Sequence, residues 1–340
     1  MENLGLSGLV NLGNTCFMNA AIQCLSNVHD LTEYFINDEY KKNENKKSKR
    51  NDVLNNWARL IKGMWENNCV VSPMSFHKNI RMIAAREGYL NFTGFRQNDT
   101  QEFLILLIDS LHDGLSREVN VTISGKVKNE TDRMALEAMK TWKRHFKDNY
   151  SKIVSLFYGQ YLTEISACDN PEDVLSRNYD PFCYLNIPIP LDKSEPSIYD
   201  CFSLFSEEEL MDGDNKYQHP KTNEYVDAKK HTKFWSLPKV LIVSLKRFTN
   251  NRGKIDKLIT FPLEILNLSK YLKGYNKKAI YNLIGVSNHS GSSGGGHYYS
   301  YCKGKNGNWY EYNDTRVNKI TPSQIVTPNA YVLFYKMLDN

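Results

Sequence analysis

At 340 residues, 41% apolar and 24% charged, the chain can bury one large core or two modest ones. The net charge of +5 is mild and argues against a nucleic-acid binder. No apolar run suits a signal peptide or a bilayer span, so no membrane attachment is expected.

Seven cysteines (16, 24, 69, 168, 183, 201 and 302) form an odd set without framework spacing, which predicts reduced thiols. Together these features predict a soluble protein of the cytoplasm or nucleus, working as a monomer. The Lys41–Arg50 run of basic residues lies among Asn, Glu and Ser and reads as a solvated loop.

The first informative stretch is Gly8-Leu9-Val10-Asn11-Leu12-Gly13-Asn14-Thr15-Cys16-Phe17-Met18-Asn19. A loop with two glycines turns there into a helix carrying Phe17, Ala20, Ala21, Cys24, Leu25 and Val28 on one face. Asn14 or Thr15 is placed to cap it, leaving Cys16 in the first turn, where the helix dipole favours a thiolate. Asn11 and Asn14 offer amide donors nearby, and a nucleophile flanked by donors suits acyl transfer. Helical stripes follow over Val53–Trp65 and from Pro73 through Ile83. Gly88–Arg96 reads as a loop, and Gln97-Asn98-Asp99-Thr100-Gln101-Glu102-Phe103-Leu104 opens an apolar helix to about Leu115. Asp99 with Glu102 three residues on resembles a capping box. Val119–Arg133 reads as a polar, mobile excursion, and Met134–Phe157 as helix again.

From Gly159 the period changes to two. Strands are predicted at Tyr161–Ser166, Phe182–Ile189, Tyr225–Lys229, Val240–Phe248, Tyr281–Asn288, Tyr298–Lys303, Trp309–Tyr312 and Tyr331–Lys336. Helices followed by strands predict an α+β architecture with a cleft between the halves. A Gly/Ser run leads straight into His297, and Asn306-Gly307 then signals a hairpin whose return strand ends in Asn313-Asp314. That hairpin sets His297 beside Asn313-Asp314. An odd-length loop puts Asn313 on the His297 face, and a two-residue turn puts Asp314 there. Either could fix the imidazole tautomer, as the third member of a triad does. His289 precedes the flexible run and has no such partner, so it reads as a decoy.

These motifs resemble the catalytic domain of ubiquitin-specific proteases, a family of deubiquitinases, over nearly the whole chain. The cysteine box is the Gly8–Asn19 stretch, and the histidine box is Gly295-Gly296-His297-Tyr298 with Trp309 and Tyr312-Asn313-Asp314. Gln97–Leu104 and Leu245-Lys246-Arg247-Phe248 also fit. The resemblance implies a papain-like thumb–palm–fingers fold: thumb about 1–158, fingers about 159–235, palm about 236–340. It implies Cys16 as nucleophile, His297 as base, Asn313 as the residue orienting it, Asp314 as a supporting neighbour and Asn11 as oxyanion donor. Gln97, Asp99, Gly296 and Tyr298 would line the channel for the extended tail of ubiquitin, the implied partner. The loops Asn250–Lys257 and Ser287–Gly296 would close over that tail.

One departure concerns a structural zinc that relatives often bind through two C-x-x-C pairs in the fingers. Here the corresponding positions hold Cys168 with Pro171, and His219 with Thr222. Two ligands of four do not make a closed structural site, so no cofactor is expected. A ubiquitin-like modifier as substrate, or a silent ubiquitin-binding scaffold, are the alternative readings.

Overall fold

The computed structural model describes residues 4–94, 96–170, 173–249, 253–276, 278–292 and 294–338. Helices fill the first half: α1 (Cys16–Ser26), α2 (His29–Ile36), α3 (Asn51–Glu66), α4 (Met74–Glu87), α5 (Thr100–Gly114), α6 (Glu130–Phe146) and α7 (Lys152–Phe157). Two differences from the sequence reading stand out. The polar excursion ends at Asn129, whose side chain caps α6, so residues 130–133 are helical. The long helical stretch is broken after Phe146, and Ser151 caps the short α7.

Among the described residues, the second half builds two large sheets and two short two-stranded ones. The larger runs Arg316–Ile320, Trp309–Asn313, Gly295–Lys303, Ile280–Ser292, Ala330–Met337, Val240–Leu245, Leu185–Ile187, with Leu266–Asn267 paired on Ile280–Ser292. Its central strands are buried on both faces. Val240, Ile242, Val332 and Phe334 pack towards the helices, while Leu241, Val243, Leu333 and Tyr335 pack on the other side. That is why those strands read as continuous apolar runs rather than alternating ones.

The smaller sheet is centred on Gly159–Ala167 paired with Ala228–Ser236, with Val174–Asn178 and Glu209–Met211 outside them. Its base is held by stacked Tyr161 and Phe182, by Phe205 on Phe234, and by the Arg177–Glu164 ion pair at 2.9 Å. Between the sheets lies α8 (Ile198–Phe205), absent from the sequence reading. A full capping box from Ser197 and Asp200 starts it, and its apolar face enters the core behind the larger sheet.

Two buried polar side chains brace the helices and the larger sheet, each within its own half. Thr100 donates from Oγ1 to the Phe17 carbonyl at 2.9 Å, tying the start of α5 to α1. Arg247, fully buried, donates to the carbonyls of Ala330 (2.7 Å), Ile255 (2.7 Å) and Lys257 (2.9 Å). The Leu245–Phe248 motif is thus a core brace that anchors the segment after it. Residues 250–252 of the expected Asn250–Lys257 loop lie outside the described residues.

Candidate active site

Cys16 is the first residue of α1 and only 3% exposed. Thr15 occupies the cap position, but its side chain makes no capping bond. Its Oγ1 accepts instead from Leu12 N at 2.8 Å, closing the loop on itself. Gly13 and Asn14 take left-handed conformations, with φ of 99° and 55°, which lets residues 11–15 fold into that tight turn. Burial pushes the Cys16 thiol up from its ordinary value, and the charge of Asp314 adds to the effect. The backbone N–H groups of Tyr298 and Phe17 beside the sulfur oppose this. The helix-terminus effect expected from the sequence is therefore outweighed by desolvation in the resting protein.

His297 stands in the Gly295–Lys303 strand, one residue before the Tyr298 N–H that meets the Cys16 sulfur. Its Nε2 lies 2.7 Å from Asn313 Oδ1. An imidazole whose Nε2–H donates to that oxygen keeps Nδ1 as its basic nitrogen. The register explains the choice of Asn313. Lys303 pairs with Trp309 and Ser300 with Tyr312, so the loop of residues 304–308 is odd in length. Asn313 therefore shares a face with His297, as the odd-loop alternative requires.

Asp314 points elsewhere. It sits at φ 49°, turning its side chain away from the sheet face towards the Cys16 loop. Its Oδ2 accepts from Asn11 Nδ2 at 3.0 Å and its Oδ1 from Asn19 Nδ2 at 2.8 Å. Its carbonyl accepts from Leu9 N at 2.7 Å. Gly8 makes this approach possible, since a Cβ there would come within 2.3 Å of the Thr315 carbonyl oxygen. Asn11 is fixed from both ends, with its Oδ1 accepting from Gly13 N (3.0 Å) and Thr15 N (3.1 Å).

Across the cleft, Gln97 clamps the backbone of Gly296: its Nε2 donates to the carbonyl at 2.9 Å and its Oε1 accepts from the N–H at 2.8 Å. Asp99 caps α5 through Gln101 N at 2.6 Å and accepts from the Tyr331 hydroxyl at 2.8 Å. Burial raises its carboxyl above the usual range, and the Tyr331 hydrogen bond pulls it back. The Tyr298 ring is buried beside them, its hydroxyl meeting the Thr100 N–H. These residues border a cleft of about 270 Å³, lined among others by Gln97, Asp99, Phe248, His289, Gly295 and Tyr298. A wider opening of about 700 Å³ shares Gln97, Asn98 and Asp99 and adds Arg96 and Glu102.

Two features of this cleft differ from the sequence reading. The expected Ser287–Gly296 loop is a paired hairpin, with Ser290 opposite His297 and Ser292 opposite Gly295; Ser293 lies outside the described residues. Side-chain-free glycines let the two backbones pair closely. His289, the decoy, lines the cleft as a buried ring between Phe248 and Tyr298. Burial, with Lys254 nearby, lowers it to about 4, so it is neutral at physiological pH. Tyr331 and Asn19 were not singled out from the sequence. Asn19 had a signal, one helical turn after Cys16.

In the fingers, the His219 ring is occupied by its own turn: Nδ1 accepts from Lys221 N and Thr222 N, both at 3.2 Å. Pro171 lies outside the described residues. Cys168 and His219 supply two of the four donors a structural zinc needs, and one ring nitrogen is already used, so this donor set does not fit the metal.

Known proteins match along this whole arrangement. The family model described as ubiquitin carboxyl-terminal hydrolase matches residues 7–335. Ubiquitin carboxyl-terminal hydrolase 2 of Homo sapiens is 37% identical over 98% of this chain, and that of Bos taurus 36% over 98%. The chain spans 55% of the length of both. Ubiquitin carboxyl-terminal hydrolase 21 of Mus musculus is 32% identical over 98% of the chain and 62% of its own length. Among solved structures, the SAGA Ubp8/Sgf11/Sus1/Sgf73 DUB module bound to ubiquitin aldehyde matches with a TM-score of 0.76 and 25% identity, covering 99% of this chain and 70% of the other. The same module bound to monoubiquitin matches with a TM-score of 0.76, 25% identity, and 100% and 71% coverage. With its thiol, imidazole and amide gathered at the junction of helices and sheet, the chain belongs to the ubiquitin carboxyl-terminal hydrolase family and has the papain-like thumb–palm–fingers fold.

Proposed function

We propose that the chain is a deubiquitinase, a thiol hydrolase of the peptide or isopeptide bond after the C-terminal glycine of ubiquitin. The observation that carries this is the His297 Nε2–Asn313 Oδ1 bond of 2.7 Å, in a strand packed against the helix that Cys16 opens. Cys16 gives its proton to His297 Nδ1 and attacks the glycine carbonyl. The imidazolium so formed stabilises the thiolate that burial alone disfavours. Asn313 holds the ring, and Asn11 with N–H groups at the start of α1 receives the oxyanion. The C–N bond breaks as His297 protonates the leaving amine, and water, deprotonated by His297, hydrolyses the thioester to restore the Cys16 thiol.

Gln97, Asp99, Gly296 and Tyr298 form the groove for the tail. Asp99 and Glu102 give it acidic character suited to basic tail residues, and the glycines beside His297 leave little width for side chains. Ubiquitin as partner is supported by the ubiquitin-bound DUB modules that the fold resembles. We further assign a zinc-free fingers sheet, held by its aromatic stack and ion pair, and a monomer of the cytoplasm or nucleus with no nucleic acid or membrane partner. Cys16→Ala should abolish turnover of a fluorogenic ubiquitin C-terminal amide while keeping the fold. Turnover retained by that variant would overturn the assignment.

A further inference from the structure

We propose that Asn19 is a positioning residue for acyl transfer, acting through Asp314 to hold Asn11 in the orientation that receives the oxyanion. The inference rests on the role given to Asn11 above. Asn19 lies in the second turn of α1, and its N–H bonds the Thr15 carbonyl at 3.0 Å. Asn19 is only 2% exposed. The amide nitrogen donates to Asp314 Oδ1 at 2.8 Å and approaches the Leu9 and Val10 carbonyls only at 3.5 and 3.4 Å. Its Oδ1 is buried with no partner. An amide kept in a core with an orphaned carbonyl spends desolvation without return on that side, so its nitrogen is the useful end.

That end holds a bridge. The Asp314 carboxylate takes one hydrogen bond from the rigid helix through Asn19 and one from the cleft loop through Asn11. Asn11 has its carbonyl committed to Gly13 N and Thr15 N, and one of its two amide hydrogens committed to Asp314. The second hydrogen is the one for the oxyanion. Without Asn19, Asp314 Oδ1 loses its buried donor and is free to take the second Asn11 hydrogen, or to turn out towards water. Either change withdraws the oxyanion donor while leaving Cys16, His297 and Asn313 in place.

The test compares Asn19→Ala and the near-isosteric Asn19→Asp with wild type, on a ubiquitin C-terminal aminocoumarin and, separately, on iodoacetamide. Alkylation needs the Cys16 thiolate but no oxyanion donor, so the two reactions separate positioning from general damage. Asn19→Ala should lower kcat by about tenfold to a hundredfold, a part of the roughly 10²–10³ loss seen when a donor is removed. KM should stay within about twofold, and alkylation of Cys16 should stay near the wild-type rate. In Asn19→Asp the volume is kept but the donor facing Asp314 Oδ1 is lost, so kcat should fall at least as far as in Asn19→Ala, and further than the rate of Cys16 alkylation. Wild-type kcat in Asn19→Ala, or parallel loss of hydrolysis and alkylation in both variants, would overturn the inference. Wild type unable to turn over the substrate would instead sink the deubiquitinase reading, before any variant is made.

Discussion

Gly296→Ala is a sharp probe of how the hairpin holds His297. A Cβ at this position would lie 2.4 Å from the Ser290 carbonyl oxygen and 2.4 Å from His289 Nε2, where ordinary contact begins at 3.4 Å. The ring nitrogen belongs to a side chain wedged between Phe248 and Tyr298, and the carbonyl belongs to the paired strand, so neither yields cheaply. Relief requires the two backbones to part by about 1 Å beside His297, which also strains both Gln97 bonds to Gly296. Overpacking of this kind costs about 1–3 kcal/mol of stability, and a 1 Å misplacement at a reacting group costs on the order of 10²-fold in rate. Steady-state kcat/KM on a fluorogenic ubiquitin amide, with a thermal melt, reads both. Gly63→Ala is the control, since its Cβ meets nothing within 4 Å in the last turn of α3. It should gain roughly 0.5–1 kcal/mol and leave activity unchanged. A Gly296→Ala enzyme within about threefold of wild-type kcat/KM would refute the claim that this close approach aligns the histidine.

Other expectations follow from the same contacts. Tyr331→Phe removes the hydroxyl that donates to Asp99, so the buried carboxyl should rise further. Because a raised carboxyl is most compatible with the fold when protonated, the loss, about 1.5–3 kcal/mol at pH 7, should shrink as pH falls through the Asp99 titration; equal urea-unfolding deficits at pH 7 and pH 4 would contradict this. His29 and His289 are both lowered to about 4 by burial, so between their ordinary value and about 4 the folded protein binds fewer protons than the unfolded chain. Stability should therefore fall on acidification over that window, and a variant His289→Asn should flatten the slope. A strong zinc chelator should leave both the melting temperature and turnover unchanged; a drop of several degrees would show that the fingers hold a metal after all.

Much of this architecture was legible because local chemistry and tertiary structure agree. Strand alternation tied an odd loop after Lys303 to Asn313 and a two-residue turn to Asp314, the family resemblance favoured the first, and the Cys16 box announced its own loop-to-helix turn. What stayed hidden depends on contacts distant in sequence. α8 lies between Pro196 and the acidic run Glu207–Glu209, and only its eight residues carry an apolar face, too few for periodicity to stand out. His289 was set aside for want of a local partner, yet its ring is buried by Phe248, some forty residues away in sequence. Alternation left Asn313 and Asp314 open until the five-residue loop set the register, and the positive φ that turns Asp314 to the Cys16 loop is a local departure alternation does not carry. The raised Cys16 thiol reflects its burial, which outweighs the lowering by N–H groups at the start of α1 that the sequence could anticipate.

The central claim is that Cys16, served by His297 and Asn313, attacks the end of a ubiquitin tail. Its most direct test is covalent capture by ubiquitin carrying a C-terminal electrophile, read by intact mass, with Cys16→Ser and a ubiquitin-like modifier probe in parallel. The account predicts a single adduct, lost in Cys16→Ser and formed faster with ubiquitin than with the other modifier. A folded protein that forms no adduct, or one that forms it without Cys16, would contradict it.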